Sequence, residues 1–215
     1  MRRARRRPRL PSKRFPPRVS ALLARPRERI EVELDGEPWR TLPAEVVLAA
    51  GLDVGVELGR ERARRVRREL RRHEAMVKAA SSLRRRDFSE RELSDRLSRA
   101  HVAPAARTET LDRLVRAGAV DDARLARGRA ELLAARGAGD ALIRHDLTSR
   151  GIAEELVDSS LAGIEPEHER AARIVSTRGV SAKTARYLAR KGFSEDSIEA
   201  TCARAVAEEA PPAVR

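Results

Sequence analysis

Three segments of similar pattern recur along the chain, and this repetition limits the fold more than any other feature. Each segment contains a turn, an amphipathic helix of about three turns, and a chain reversal followed by an apolar residue. The segments are residues 88–102, 137–152 and 179–193. Their reversals fall at His101, Gly151 and Gly192. Since a preceding and a following helix flank each segment, the pattern predicts three three-helix units in tandem, stacked into an elongated, curved array.

The core of such a chain has to be built almost entirely from aliphatic side chains. Hydrophobic residues make up 41% of the sequence, but aromatic residues only 2%. Leu, Val, Ile and Ala suit helix-on-helix packing better than a β-sandwich, so the predicted fold class is mainly α. The single cysteine, Cys202, fits a reducing compartment, and no apolar stretch reaches about 18 residues. These features predict a cytoplasmic protein without a membrane span.

The only strong strand pattern in the sequence lies in residues 28–42. Apolar residues alternate there with glutamates on the way to a hairpin turn at Asp35-Gly36. A short helix is predicted to follow over residues 44–50, with Gly51 at its end. The pattern therefore indicates a small β-hairpin and helix module ahead of the helical repeats.

Six segments are predicted in chain order. They are a disordered basic arm (1–26), the β-hairpin plus short helix module (27–59), an Arg-rich linking helix (60–72), and helical repeats 1 (73–120), 2 (121–164) and 3 (165–208). The arm has ten Lys or Arg residues, no acid and too few apolar side chains to order itself. From Arg60 onward, helices are predicted near 60–72, 74–86, 90–100, 105–117, 121–136, 140–150, 153–162, 167–178, 182–191 and 195–208.

The motifs of the first two repeats, in their order and spacing, resemble the RecX family. The positions that carry the resemblance are Ser89, Glu90, Leu93, Leu97, Leu111, Leu114, Gly118, Asp121, Asp122, Gly137, Gly139, Ile143, Leu147, Gly151 and Ile152. The similarity extends over about residues 28–205. Val120 and Leu125 stand where the family usually has aromatic residues. His101 stands where glycine is usual, which leaves the geometry of the first reversal open because non-glycine residues resist a positive φ.

Resemblance to RecX implies a regulator that lies in the groove of the RecA–DNA filament. Such a protein would inhibit the ATPase, strand-exchange and co-protease activities of RecA, or promote disassembly of the filament, and so modulate homologous recombination, DNA repair and the SOS response. The implied partner is the RecA nucleoprotein filament, single-stranded DNA is possible as a second partner, and a monomer is expected. Two alternatives stay open: a free-standing DNA-binding protein of helix-turn-helix-like units, and a helical adaptor for another protein.

No catalytic constellation is found in the sequence, so we predict a protein that is not an enzyme and has neither cofactor nor metal site. The four histidines are scattered and lack partners at ligand spacing. The pair Asp121-Asp122 is interpreted as capping a helix start rather than as an acid or metal site. Residues 179–184 end like a phosphate-binding loop but lack its glycine spacing and its preceding strand.

Clustered cations are the candidates for DNA or partner binding. Residues 60–86 contain twelve basic and three acidic residues, whereas the net charge of the whole chain is +13. The candidates are Arg64, Arg67, Arg68, Arg71, Arg84, Arg85, Arg86, Arg144, Arg173, Lys183, Arg186, Arg190 and Lys191. A solvated helix face is the alternative interpretation of the Arg-rich helix. The lack of clustered aromatic residues argues against base stacking as the main binding mode.

Overall fold

The structure is a computed structural model that describes residues 15–209, with side chains to residue 204. Its described residues form two compact units. One unit comprises residues 15–82 together with 97–110, and the other comprises residues 83–96 together with 111–209. Each unit has an apolar core of its own, in the first around Val32 and in the second around Ile143.

A three-stranded antiparallel sheet of order β1-β2-β3 opens the first unit. The strands are β1 (Val19–Arg25), β2 (Arg29–Leu34) and β3 (Glu37–Pro43). The predicted hairpin is confirmed, because β2 and β3 are joined at Asp35 and Gly36. Both of these residues have positive φ, 51° and 84°, as a two-residue type I′ turn requires.

Strand β1 corrects the predicted disordered arm. Residues 19–25, which the sequence assigned to the arm, pair with β2 from Val19 opposite Leu34 to Arg25 opposite Arg29. Val19 is fully buried, and Leu22 packs against the same core. The arm was assigned from composition, but the backbone hydrogen bonds that stabilise an edge strand come from its neighbour. Residues 1–14 of the predicted arm lie outside the described residues.

The helices α1 (Ala44–Ala49) and α2 (Arg60–Leu83) follow the sheet. Helix α1 ends as predicted, with Gly51 at a φ of 64°. Helix α2 is continuous over 24 residues, so the predicted separate helices at 60–72 and 74–86, and the segment boundary between them, are wrong. No glycine or proline interrupts this stretch, and His73 does not stop a helix that packing supports on both sides.

The remaining described helices match their predicted bounds to within one residue, which confirms the mainly α fold class. They are α3 (Glu90–Arg99), α4 (Pro104–Arg116), α5 (Asp122–Ala135), α6 (Asp140–Ser149), α7 (Glu154–Ala162), α8 (Glu167–Arg178), α9 (Ala182–Arg190) and α10 (Glu195–Glu209). Helix α3 begins with a reciprocal capping box. The Glu92 N–H donates to Ser89 Oγ over 3.0 Å, and the Ser89 N–H donates to Glu92 Oε2 over 3.2 Å.

Successive repeats in the second unit are joined by the same kind of contact. At the start of α3, Ser89 Oγ donates to the carbonyl oxygen of Arg150 over 2.6 Å. At the start of α6, the Gly139 N–H donates to the carbonyl oxygen of Lys191 over 2.8 Å. In both cases the start of the middle helix of one repeat contacts the chain reversal in the next repeat. That reversal directly follows the middle helix of the next repeat.

The reversals differ in what lies against them. Gly151 and Gly192 have φ of 79° and 81°, and a Cβ on Gly192 would lie 2.6 Å from the backbone nitrogen of Leu142. His101 makes the equivalent turn in the first repeat with a φ of 57° and an exposed side chain. The departure from glycine at His101 therefore keeps the turn, because its side chain points to solvent rather than into a neighbouring repeat.

Candidate interaction surface

The first half of α2 presents a surface of arginines to solvent. Every exposed residue between positions 60 and 71 is charged, and six of these seven are arginine, with Glu61 the exception. We call this surface the α2 arginine face: Arg60, Arg64, Arg65, Arg67, Arg68 and Arg71. The opposite side of the helix anchors it, because Val66 is buried in the core of the sheet, with Ala63 and Leu70 packed against it.

Four members of the face follow helical spacing. Arg60, Arg64, Arg67 and Arg71 stand at i, i+4, i+7 and i+11, which aligns them on one side of the helix over about 16 Å. Among the described residues, no hydrogen bond or ion pair engages any of these four side chains or that of Arg65. Arg60 and Arg65 were absent from the sequence candidates, although the spacing that begins at Arg60 could have identified the first of them.

The other arginines of α2 have partners inside the first unit. Arg62 donates to the carbonyl oxygen of Glu57 over 2.6 Å. Arg72 pairs with Glu69 over 2.8 Å and also with Glu109. Arg68 is 3.5 Å from Glu69 but 57% exposed. The helix therefore contains arginines that the fold uses and arginines that it leaves in water.

Arg84, Arg85 and Arg86 are all exposed in the segment that follows α2. Arg86 donates to both carboxylate oxygens of Glu92, over 3.0 and 3.2 Å, and lies 3.7 Å from the ring centroid of Phe88. Burial opposes ionisation of Glu92, but hydrogen bonds from Arg86 and from the Ser89 N–H outweigh it and hold the pKa of this carboxyl below its usual value. Arg86 therefore already has an acidic and an aromatic partner at the start of α3.

Arg144 and Arg173 are neutralised within the second unit. Arg144 donates to Glu154 and to Asp158, each over 2.6 Å. Arg173 forms an ion pair with Glu165. The fold explains the presence of both cations without an external ligand.

Helix α9 carries a second exposed cluster, in a different unit from the α2 arginine face. Lys183, Arg186 and Arg190 are exposed at i, i+3 and i+7, which puts them on one side of α9. Lys191 is half-buried, with its Nζ 5.9 Å from the ring centroid of Tyr187. This cluster thus has an aromatic ring beside it, whereas none of the cation–ring contacts among the described residues involves the α2 arginine face.

The polar groups that the sequence tested for chemistry serve helix starts. Asp121 caps α5 as predicted, accepting from the Arg124 N–H over 2.9 Å. Its neighbour Asp122 accepts from the Glu90 N–H over 2.9 Å, and burial raises the pKa of Asp122. In the part of the chain that the structure describes, His, Cys, Asp and Glu form no group of three that could hold a metal ion.

Several known proteins similar to this chain are regulatory RecX proteins. No family model matches the sequence. The regulatory protein RecX of Halorhodospira halophila is 32% identical over 133 residues, which are 57% of this chain and 83% of that protein. The regulatory protein RecX of Chromohalobacter salexigens is 33% identical over 132 residues, which are 57% of this chain and 87% of that protein. The chain belongs to the RecX family. Its RecX relatives are named as regulatory proteins.

Solved RecX structures share this fold. One crystal structure of regulatory protein RecX superposes with a TM-score of 0.74 at 20% identity, covering 86% of this chain and 98% of that one. RecX from Lactobacillus salivarius superposes with a TM-score of 0.57 at 17% identity, covering 64% of this chain and 97% of that one. Among the described residues, no helix has both the length and the apolar character needed to cross a membrane.

Proposed function

We propose that this RecX-family protein regulates the RecA recombinase by binding the RecA–DNA filament. It inhibits the ATPase, strand-exchange and co-protease activities of RecA, and thereby modulates recombination, DNA repair and the SOS response in the cytoplasm. The observation that carries this proposal is the identity of about a third with regulatory RecX proteins over more than four fifths of their length. It acts by binding rather than by catalysis.

A tandem helical protein suits a periodic partner. Each repeat can contact a successive protomer of the filament, so that several weak contacts add through effective concentration rather than through one deep pocket. A monomer meets this requirement without a second copy. The proposed contacts are the cations Arg64, Arg67, Arg68, Arg71, Arg84, Arg85, Lys183, Arg186, Arg190 and Lys191. Of the other sequence candidates, Arg86, Arg144 and Arg173 already have acidic partners within the fold, so the filament would have to compete with those acids for them.

The test is the rate of ATP hydrolysis by RecA on single-stranded DNA, titrated with this protein. We expect strong inhibition well below one regulator per RecA protomer, because a filament-bound regulator affects more than one protomer. Absence of inhibition at stoichiometric excess, with circular dichroism showing a folded helical protein, would contradict the proposal.

A free-standing DNA-binding protein is the second candidate, favoured by the exposed arginines of α2. It predicts that the protein binds duplex DNA without RecA and prefers one sequence over others. A helical adaptor for another protein would instead leave RecA out of a pull-down from cells of the source organism. The filament regulator predicts that RecA is captured and that no DNA sequence is preferred.

A further inference from the structure

We propose that the α2 arginine face binds the phosphate backbone of DNA without reading its sequence. This inference deepens the proposed function. It rests on that function in one respect, namely that the protein contacts DNA within the RecA filament. The face is Arg60, Arg64, Arg65, Arg67, Arg68 and Arg71, as defined above.

The first argument is that the fold makes no use of most of these charges, since in the described part of the chain only Arg68 of the face pairs with an acid, Glu69. Arg144 and Arg173 each have acidic partners within the second unit, whereas Arg64, Arg67 and Arg71 are exposed and have none among the described residues. Like charges at i, i+3 and i+4 repel each other and destabilise a helix. A cluster that weakens its own helix is explained when an external anion neutralises it.

The second argument concerns the class of partner. Protein interfaces depend on apolar and aromatic anchors at their centre, but no exposed residue between positions 60 and 71 is apolar. A row of guanidinium groups without such anchors fits an anion that needs only charge and hydrogen-bond donors. Guanidinium groups donate in pairs to phosphate oxygens, so nucleic acid is favoured over an acidic protein groove.

The third argument is geometric. The row from Arg60 to Arg71 extends over about 16 Å, alongside about five phosphates of a strand whose charges are spaced at about 3.4 Å. An open groove of about 720 Å³ lies beside the first part of this row, where Arg60, Arg64 and Arg65 line it among others. Five arginines and two acids line this groove, and one of the acids, Glu57, is paired with Arg18 over 2.8 Å, so the groove keeps a positive charge.

Sequence-independent binding follows from the side chains present. Base edges are read by side chains in a groove, and unpaired bases are held by aromatic stacking. The exposed residues of the face are six arginines and one glutamate, and they offer no aromatic surface. Contacts of this kind position the protein along DNA and are strongly sensitive to salt.

The experiment is anisotropy of fluorescein-labelled, mixed-sequence single-stranded and duplex DNA, titrated with full-length protein over a series of salt concentrations. The test variant carries Arg64→Gln, Arg67→Gln and Arg71→Gln. The control carries Arg113→Gln, Arg127→Gln and Arg136→Gln, which remove the same charge from exposed positions outside the proposed contacts. Both variants are also melted by circular dichroism.

We expect the test variant to bind DNA at least about tenfold more weakly at low salt. The slope of its log affinity against log salt concentration should be smaller in magnitude by about two to three. Each lost phosphate contact removes about 0.7 to 0.9 from that slope, and three arginines are replaced. The control should keep the slope of the original protein. The melting temperature of the test variant should be unchanged or higher, because repulsion within α2 is relieved.

Three results would overturn the inference. The test variant could keep the original salt slope, or the control could lose as much as the test variant, which would assign binding to net charge. The test variant could also bind DNA normally but lose inhibition of RecA ATPase, which would assign the face to a protein partner. If the original protein binds DNA through α2 but never inhibits RecA, the proposed function fails while this inference stands.

Discussion

Gly192 lies where two repeats of the second unit meet, and two separate constraints act on it. Its φ is 81°, and a Cβ would lie 2.6 Å from the backbone nitrogen of Leu142. We expect Gly192→Ala to lower the free energy of unfolding by more than about 2 kcal/mol, because it adds a backbone clash to the cost of a positive φ. Urea denaturation followed by circular dichroism measures this change.

Gly118→Ala is the matched control for Gly192→Ala. Gly118 has a φ of 65°, but nothing lies within 4 Å of its hypothetical Cβ. The control should cost only about 1 kcal/mol, the strain of an alanine in the left-handed region. An equal loss of unfolding free energy in the two variants would contradict the prediction, because it would mean that Leu142 moves away from the new Cβ at little cost.

The Asp146 carboxylate makes the second unit sensitive to acid. Arg129 donates two hydrogen bonds to it, each over 2.9 Å, and with a further one from Arg150 this lowers its pKa to about 2. A carboxyl whose pKa is lower in the folded than in the unfolded state stabilises the fold above the unfolded pKa. That stabilisation, about 2 kcal/mol by linkage, should disappear as the pH falls from about 4 to 2.

The check is the free energy of unfolding of Asp146→Asn against the original protein from pH 7 down to pH 2. The two should differ at neutral pH and converge near pH 2. Asp158→Asn is the control, since it breaks an ion pair that is 58% exposed on the Asp158 side, and surface pairs contribute little. A difference for Asp146→Asn that persists at pH 2 would place its origin in packing rather than in charge.

At the scale of elements, one carboxylate joins the starts of two helices. Glu167 Oε1 accepts from the Asp140 N–H at the start of α6 over 2.7 Å, and Oε2 accepts from the Ser194 N–H before α10 over 3.2 Å. Helix starts favour negative charge, so Glu167→Gln should cost about 1 to 2 kcal/mol. Thermal melting measures it, with the exposed neighbour Glu169→Gln as a control that should melt unchanged.

Hydrophobic periodicity predicts the bounds of most helices but not the continuity of α2. Helix bounds from residue 90 onward agree with the structure to within one residue, because helical hydrogen bonds and caps lie within a few residues of each other. The continuity of α2 across His73 depends instead on packing along its length. Val66 is buried in the sheet core, whereas Ala75 and Ala79 are buried further along the helix, and so the buried side shifts around the helix.

At the scale of the whole molecule, the division into two units predicts separable responses to core substitutions. The chain has one tryptophan, Trp39 in the first unit, and one tyrosine, Tyr187 in the second. Val32 is completely buried in the first core. We expect Val32→Ala to cost about 2 kcal/mol, as loss of buried methyl groups does, and to shift the unfolding curve read from Trp39 fluorescence.

In Val32→Ala, the unfolding curve read from Tyr187 fluorescence should shift less than the unfolding curve read from Trp39 fluorescence. The reciprocal variant is Ile143→Ala in the core of the second unit, which should shift the tyrosine curve more. Equal shifts of both curves in both variants would mean that the two units unfold as one cooperative body.

The candidate surface could be predicted only in part from sequence. The density of arginine around residues 64–71 predicted a candidate surface on α2, but it gave equal standing to Arg144 and Arg173. Their acidic partners Asp158 and Glu165 lie 14 and 8 residues away, and nothing in composition assigns such pairs. Which cations are neutralised is decided by the side chains that packing brings beside them.

The sequence by itself determined the helical class, the hairpin, the helix cap at Asp121 and the resemblance to RecX. All of these depend on residues that are close together in the chain. Only the tertiary structure decided that residues 19–25 form a strand, that Arg170 is buried against the carbonyl oxygen of Ala138, and that the side chains of the α2 arginine face are exposed while Arg62 and Arg72 find partners. A strand and a buried cation are stabilised by hydrogen-bond partners from distant segments, and local pattern does not reveal those partners.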